Sequence, residues 1–327
     1  MKFSRDVLKI NEQEEIEKIT TTIRTQVFSE LHRKGAVLGL SGGIDSSVCA
    51  ALCVKALGAE NVFAILMPEK DSSQESIELG KLVADSLNIN YEINDITNLL
   101  QASGCYKFQV EAIREIIPEY GEDWKCKVII PSILDKDRLN IFHITVQSPD
   151  GKMQTRRFTP TSYLKLIAAT NWKQRIRKCI EYYHADRLYY AVCGTPNRLE
   201  YDQGFFVKNG DGSADFKPIA HLYKSQVYML AKALGLPEKI IHRPPTTDTF
   251  SLAQTQEEFF FAVSYEIMDL CLYAYNHNIE PKFVASEINL TEEQVKRIYK
   301  DIESKRKATR YLHMKPLLVE KILNPEL

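Results

Sequence analysis

Apolar residues recur at Ile16, Ile19, Ile23, Val27 and Leu31, three or four positions apart, which predicts an amphipathic helix over 12–33. The pattern then changes. "AVLGL" (36–40) is a short apolar run ending at glycine and leucine, the mark of a buried strand, and 45–57 returns to helical spacing before stopping at Gly58. "NVFAILMP" (61–68) predicts a second strand, 73–87 a second helix and "NYEINDI" (90–96) a third strand. Strand–helix alternation of this kind predicts an α/β fold, a parallel sheet with helices on both faces.

The middle of the chain breaks the rhythm. Residues 115–165 hold two short β-like runs, "KVIIP" and "NIFHITVQ", and a hairpin-turn signal, "SPDGK". With few apolar positions, the segment reads as an insertion packed on the main domain. From 166 the alternation resumes with a basic helix through "NWKQRIRKCIEYYHA", a strand "LYYAVCGT", a loop "KNGDGSAD" and a helix "LYKSQVYMLAKALG". The tail, 257–327, reads as helical and as part of the same single domain spanning 1–327.

Composition narrows the class. The 327 residues are 44% hydrophobic and 26% charged with a net charge of −1, so any anion-binding patch must be local and no nucleic-acid partner is indicated. No run approaches the roughly 18 apolar residues of a membrane span, and the acidic start, "MKFSRDVLKINEQEEIEKI", lacks an apolar signal core. Seven scattered cysteines without a C-x-x-C pair fit reduced thiols in a cytoplasmic protein.

The candidate chemistry starts where the first strand ends, at "SGGIDSS" (41–47). No lysine follows Gly43, so this is not the G-x-x-x-x-G-K-[ST] loop, and "GLSGGI" has the wrong spacing for G-x-G-x-x-G. Glycines let backbone N–H groups approach an anion, and the following helix adds its positive end. Ser41, Ser46 and Ser47 add hydroxyls, while Asp45 would repel a phosphate unless a cation bridges them, which implies Mg²⁺. The plain alternative is a tight strand–helix turn with a serine cap.

The pattern S-G-G-x-D-S resembles the signature of the ATP pyrophosphatases, which attack the α-phosphorus of ATP and release pyrophosphate. Downstream, N-x-K-x-R-x-R (171–177), G-T-x-N-x-x-E (194–200), G-F-F-x-K-x-G-D-G-x-A-D (204–215), a lysine nine residues after Asp215 and P-T-x-D (245–248) resemble, in order, the NAD synthetase family. The likeness covers most of the chain outside 115–165 and implies a Rossmann-like sheet of the ATP pyrophosphatase type. It implies ATP contacts at Ser41, Gly42, Gly43, Asp45, Ser46, Met67, Thr195, Lys224 and Thr246, with Lys224 stabilising the charge that builds on pyrophosphate. Asp45 and Glu200 are the implied Mg²⁺ carboxylates. Arg175, Phe205, Lys208, Asp211, Asp215, Lys305 and Arg306 are the implied contacts to the second substrate, Phe205 by stacking on a pyridine ring.

The implied reaction has two steps: a carboxylate attacks ATP to give an acyl-adenylate, and ammonia then displaces AMP to form an amide. No covalent nucleophile is required. Deamido-NAD is the implied acceptor, with ammonia either free or released by a separate glutaminase, and a homodimer is the implied assembly. The 12–33 helix and "EYYHADRLYY" suit an interface or a core equally. The chain departs from the family pattern at Gln256, which replaces an acid, at Phe259–Phe261, and at Ser304, which stands in a histidine's place. Two other readings stay open: a same-fold ligase forming an amide or amidine on a different acceptor, and a nucleotide-binding protein without turnover.

Overall fold

The computed structural model describes residues 3–121, 123–134, 142–245 and 249–320. Its main sheet has four parallel strands in the order β3-β2-β1-β7: β1 is Ala36–Gly39, β2 Val62–Leu66, β3 Asn90–Ile93 and β7 Ala191–Val192. Alternate residues of these strands point to opposite faces. Ala36, Leu38, Ala64, Leu66 and Ala191 pack with α1 (Glu12–Arg24), α2 (Ile44–Leu57), α3 (Gln74–Ser86) and α8 (Lys224–Ala233). Val37, Ile65 and Val192 pack on the other face with α4 (Thr97–Ala102), α5 (Cys105–Arg114) and the C-terminal half of α6 (Pro160–Leu188). The α/β sandwich follows from this period-two pattern.

Boundaries differ from the sequence reading where local geometry intervenes. The first helix is α-helical only to Arg24 and continues to Glu30 as a wider π-helical turn, which keeps Val27 buried; His32 then takes a left-handed φ of 51°. The strand predicted at 188–195 shortens to Ala191–Val192, because Tyr189, left-handed at φ 61°, still caps α6.

Helix α6 runs 29 residues from a Thr159–Ser162 capping box, well ahead of the basic stretch that announced it. Its buried positions include Lys173, Lys178, Glu181 and His184 beside Leu166 and Ala169, so polar residues on the inner face hide the helical period.

Between α5 and α6 lies a three-stranded antiparallel sheet, β4 (Lys125–Ile129), β5 (His143–Gln147) and β6 (Met153–Arg157). The "SPDGK" hairpin joins β5 to β6, with Gly151 at φ 86°. Of the run "NIFHITVQ", Asn140 and Ile141 lie outside the described residues. Cys126, Val128, Ile144 and Val146 meet Ala112 and Ile113 of α5, Leu166 of α6 and Phe250, so the sheet's apolar face is closed by flanking helices. After α7 (Arg198–Gln203), α8 and α9 (Glu238–Ile241), the C-terminal helices α10 (Tyr265–Asn276), α11 (Pro281–Ile288) and α12 (Glu292–Thr309) form another cluster with Phe3 and Leu8.

Leu52 is fully buried in α2 under the sheet. Truncating it (Leu52→Ala) is expected to cost about 2–5 kcal/mol, read as a lower urea midpoint with an unchanged slope.

Candidate active site

The turn after β1 is built by its own side chains. The carbonyl of Gly43 accepts from Ser46 Oγ at 3.0 Å and Ser47 Oγ at 2.8 Å, and Ser41 Oγ accepts from the Gly43 N–H at 3.2 Å. Gly42 sits at φ +73°, and a Cβ there would lie 2.7 Å from the Ser76 carbonyl and 2.9 Å from the Gly80 nitrogen. The close approach of α3, together with the left-handed φ, requires glycine. Gly42 therefore shapes the turn from behind, while Gly39, Ser41, Gly43, Asp45 and Ser46 face a cavity of about 470 Å³.

The N-termini of α2, α7 and α8 meet at this cavity. Their first turns carry Asp45, Glu200 and Lys224 respectively. Asn197 caps α7, accepting from the N–H groups of Leu199 and Glu200, and its Nδ2 donates to Asp45 Oδ1 at 3.0 Å. Glu200 closes the capping box by accepting from the Asn197 N–H at 3.1 Å, and its other oxygen accepts from Gln256 Nε2 at 3.0 Å. Lys224, 2% exposed, forms an ion pair with Asp45 Oδ2. Asp269 behind it accepts from the N–H groups of Lys224 and Ser225, which fixes the start of α8.

Asp45 thus pairs with the ammonium, and Glu200 adds its charge to the same cluster. Burial, and then the charge of Asp45, push the Glu200 carboxyl up to about 8 against the pull of Lys224, Asn197 and Gln256. Burial works against the Lys224 charge, but Asp45 and Glu200 outweigh it and hold the ammonium above its ordinary range. A cation between Asp45 and Glu200 would displace the Glu200 proton and restore the carboxylate charge. Among the described residues no cluster of three or more acidic, His or Cys ligands forms a metal cage. A pair of carboxylates suits Mg²⁺, which keeps waters and takes phosphate oxygens for its other positions.

The cavity collects Ser41, Gly43, Asp45, Ser46, Met67, Thr195, Glu200, Phe205, Asp211 and Lys224 of the anticipated site residues. Thr246 lies outside the described residues. The other anticipated residues stand around the rim or behind it. Arg175 Nε donates to the Lys208 carbonyl at 3.4 Å, and Lys208 Nζ donates to the carbonyls of Tyr311 and Met314. Asp215 accepts from the Val192 N–H at 2.7 Å and from Tyr182, holding the end of β7. Lys305 is buried against Asp301 and the Phe260 carbonyl, and Arg306 pairs with Asp202 and Asn276. Phe205 stacks on Phe260 at 4.7 Å, so in this arrangement one of its faces is already covered.

Some contributors escaped the sequence reading. Asn197 lay inside G-T-x-N-x-x-E and was legible as a cap. Gln256 stood out only as a departure, yet it is the side chain that reaches Glu200. Arg243 donates to the Gly42 carbonyl and to Ser76 Oγ, bracing the phosphate turn from a segment more than 160 residues away in sequence.

A sequence model of NAD synthase matches residues 15–117 and 132–310. The chain belongs to the NAD synthase family. The NH(3)-dependent NAD(+) synthetase of Mesorhizobium japonicum is 56% identical over 312 residues, covering 95% of this chain and 98% of the relative. That of Thermotoga neapolitana is 36% identical over 262 residues, covering 80% and 84%. Among solved structures, the NH3-dependent NAD synthetase of Campylobacter jejuni, in complex with the nitrate ion, is similar with a TM-score of 0.63 at 25% identity, covering 95% of this chain and all of that one. The NMN synthetase of Francisella tularensis, at 21% identity and a TM-score of 0.63, shares the fold. The family match skips 118–131, the stretch that includes β4.

Asn197→Ala removes both the cap of α7 and the hydrogen bond to Asp45. A loss of about 1–2 kcal/mol in urea unfolding is expected from the cap, and weaker binding of Mg²⁺-ATP in calorimetry from the freed Asp45 carboxylate.

Proposed function

We propose that this protein is an ammonia-dependent NAD synthetase, a carbon–nitrogen ligase that amidates deamido-NAD and converts ATP to AMP and pyrophosphate. The observation that carries the reading is the meeting of Asp45, Asn197, Glu200 and Lys224 at the phosphate turn, within a chain of this family. Relatives more than half identical over nearly the full chain carry the name NH(3)-dependent NAD(+) synthetase.

The turn at 41–46 and the N-terminus of α2 receive ATP phosphates, with backbone N–H groups and serine hydroxyls as donors. Asp45 and Glu200 would hold Mg²⁺, which when bound would offset phosphate charge. Lys224, fixed by Asp45 and by the Asp269 cap, presents its ammonium where charge builds as pyrophosphate leaves. The acceptor's carboxylate reaches the α-phosphorus from the side of the cavity formed by α6, Phe205 and Asp211. Ammonia then takes the place of AMP at the acyl carbon. Positioning and electrostatics supply the catalysis, and no side chain forms a covalent intermediate.

We place the enzyme in the cytoplasm as a homodimer. No helix among the described residues is long and apolar enough to cross a membrane. The described cysteines are free thiols. Leu164, Trp172 and Tyr183 leave apolar surface exposed along α6, which suits a partner subunit.

The test is direct. With ATP, Mg²⁺, ammonium and deamido-NAD the protein is expected to form NAD, while glutamine in place of ammonium gives none unless a glutaminase is added. AMP formation only with a different acceptor would instead assign another ligase of this fold, and ATP binding without AMP would assign a nucleotide-binding protein. Chelation by EDTA is expected to abolish turnover and excess Mg²⁺ to restore it. Lys224→Met is expected to lower kcat by about 10²–10³-fold in the same NAD assay.

A further inference from the structure

Lys173 is 1% exposed and lies outside the catalytic cluster. An ammonium has three N–H donors, and here each goes to a different oxygen: Glu69 Oε1 at 2.7 Å, Asp71 Oδ2 at 3.0 Å and the Thr249 carbonyl at 3.0 Å. Glu69 is buried as well and accepts from the Tyr106 hydroxyl at 2.8 Å through its other oxygen. Burial disfavours the Lys173 charge, yet the two carboxylates outweigh it and keep the ammonium protonated.

The three partners belong to segments that wall the same cavity. Glu69 and Asp71 lie in the loop after β2, between the lining residues Met67 and Ser72. Lys173 sits on α6 between the lining residues Asn171 and Gln174. Thr249 lines the cavity itself and begins a stretch that runs beside β4, where Leu252 N–H donates to the Cys126 carbonyl and Ile130 N–H to the Glu258 carbonyl. That stretch delivers Gln256 to Glu200 and Phe259 and Phe260 to the far wall.

We propose that Lys173 is a positioning residue for the ligase reaction: through Glu69, Asp71 and Thr249 it sets the separation between the nucleotide wall and the aromatic wall of the cavity. A buried ion pair is a poor device for stability alone, since well-packed apolar residues of the same volume commonly serve as well or better. What this one adds is direction, because one ammonium fixes three chain segments at once. Lys173 touches no reacting atom, and its effect falls on how both nucleotides fit.

The inference rests on the synthetase reading, and the experiment separates the two. Steady-state NAD formation is measured with ATP and deamido-NAD varied in turn, beside calorimetric binding of a non-cleavable ATP analogue and a thermal melt. Lys173→Met is expected to raise KM for both nucleotides about tenfold and to weaken the analogue similarly, with kcat changed less than about threefold. Because Lys173→Met leaves Glu69 without its cation, Asp71→Asn gives a milder version, with KM values up about threefold in folded protein. KM and analogue affinity within about twofold of wild type in both variants, or in Asp71→Asn alone when Lys173→Met does not fold, would overturn the proposal and leave Lys173 a purely structural residue. Failure of the wild type to make NAD would strike the synthetase reading, while the analogue's affinity would still decide the role of Lys173.

Discussion

The structure turns on one buried ammonium paired with Asp45, with a second carboxylate, Glu200, in the same cluster. Lys224 begins α8, and Asp45 and Glu200 lie in the first turns of α2 and α7, so all three charges stand where helix N-termini converge. Positive helix ends favour the carboxylates but disfavour a lysine, and burial disfavours the charges of Glu200 and Lys224. The arrangement holds because Asp269 satisfies the first N–H groups of α8 and Asn197 ties Asp45 to the α7 cap. Burial first and the charge of Asp45 second make Glu200 hold its proton, which keeps the cluster close to neutral.

Around that centre the cavity has walls of different character. One is the phosphate turn, polar and held shut on itself by serine hydroxyls. The opposite one is aromatic: Phe142 stacks on Tyr163 at 4.3 Å, and Phe205 on Phe260 at 4.7 Å. Phe142 comes from beside β5, and Phe259 and Phe260 from the π-helical turn Glu257–Phe261, so the aromatic side is assembled from segments far apart in sequence. The polar turn and the aromatic side of the cavity are therefore carried by separate parts of the chain.

Much of this was legible in the sequence. Strand–helix alternation gave the parallel sheet, and S-G-G-x-D-S with G-T-x-N-x-x-E gave Asp45 and Glu200, because phosphate turns and caps are local structures written in consecutive residues. The length of α6 was not legible, since Lys173, Lys178 and Glu181 occupy its buried face and break the apolar period. Nor were the contacts of Gln256 with Glu200 and of Lys173 with Thr249, which depend on segments 56 and 76 residues apart brought together only by the fold. Lys305 and Arg306 matched a family pattern, yet in this structure both are engaged by Asp301, Asp202 and Asn276, pairings set by tertiary packing of α12.

The central claim is that this cluster directs attack to the α-phosphorus of ATP. Phosphorus NMR of a complete reaction mixture tests it most directly. AMP and pyrophosphate should accumulate in equal amounts, in step with NAD, and neither should form when the acceptor is left out. Accumulation of ADP and inorganic phosphate in step with NAD would contradict the account, because it would place the attack at the γ-phosphorus.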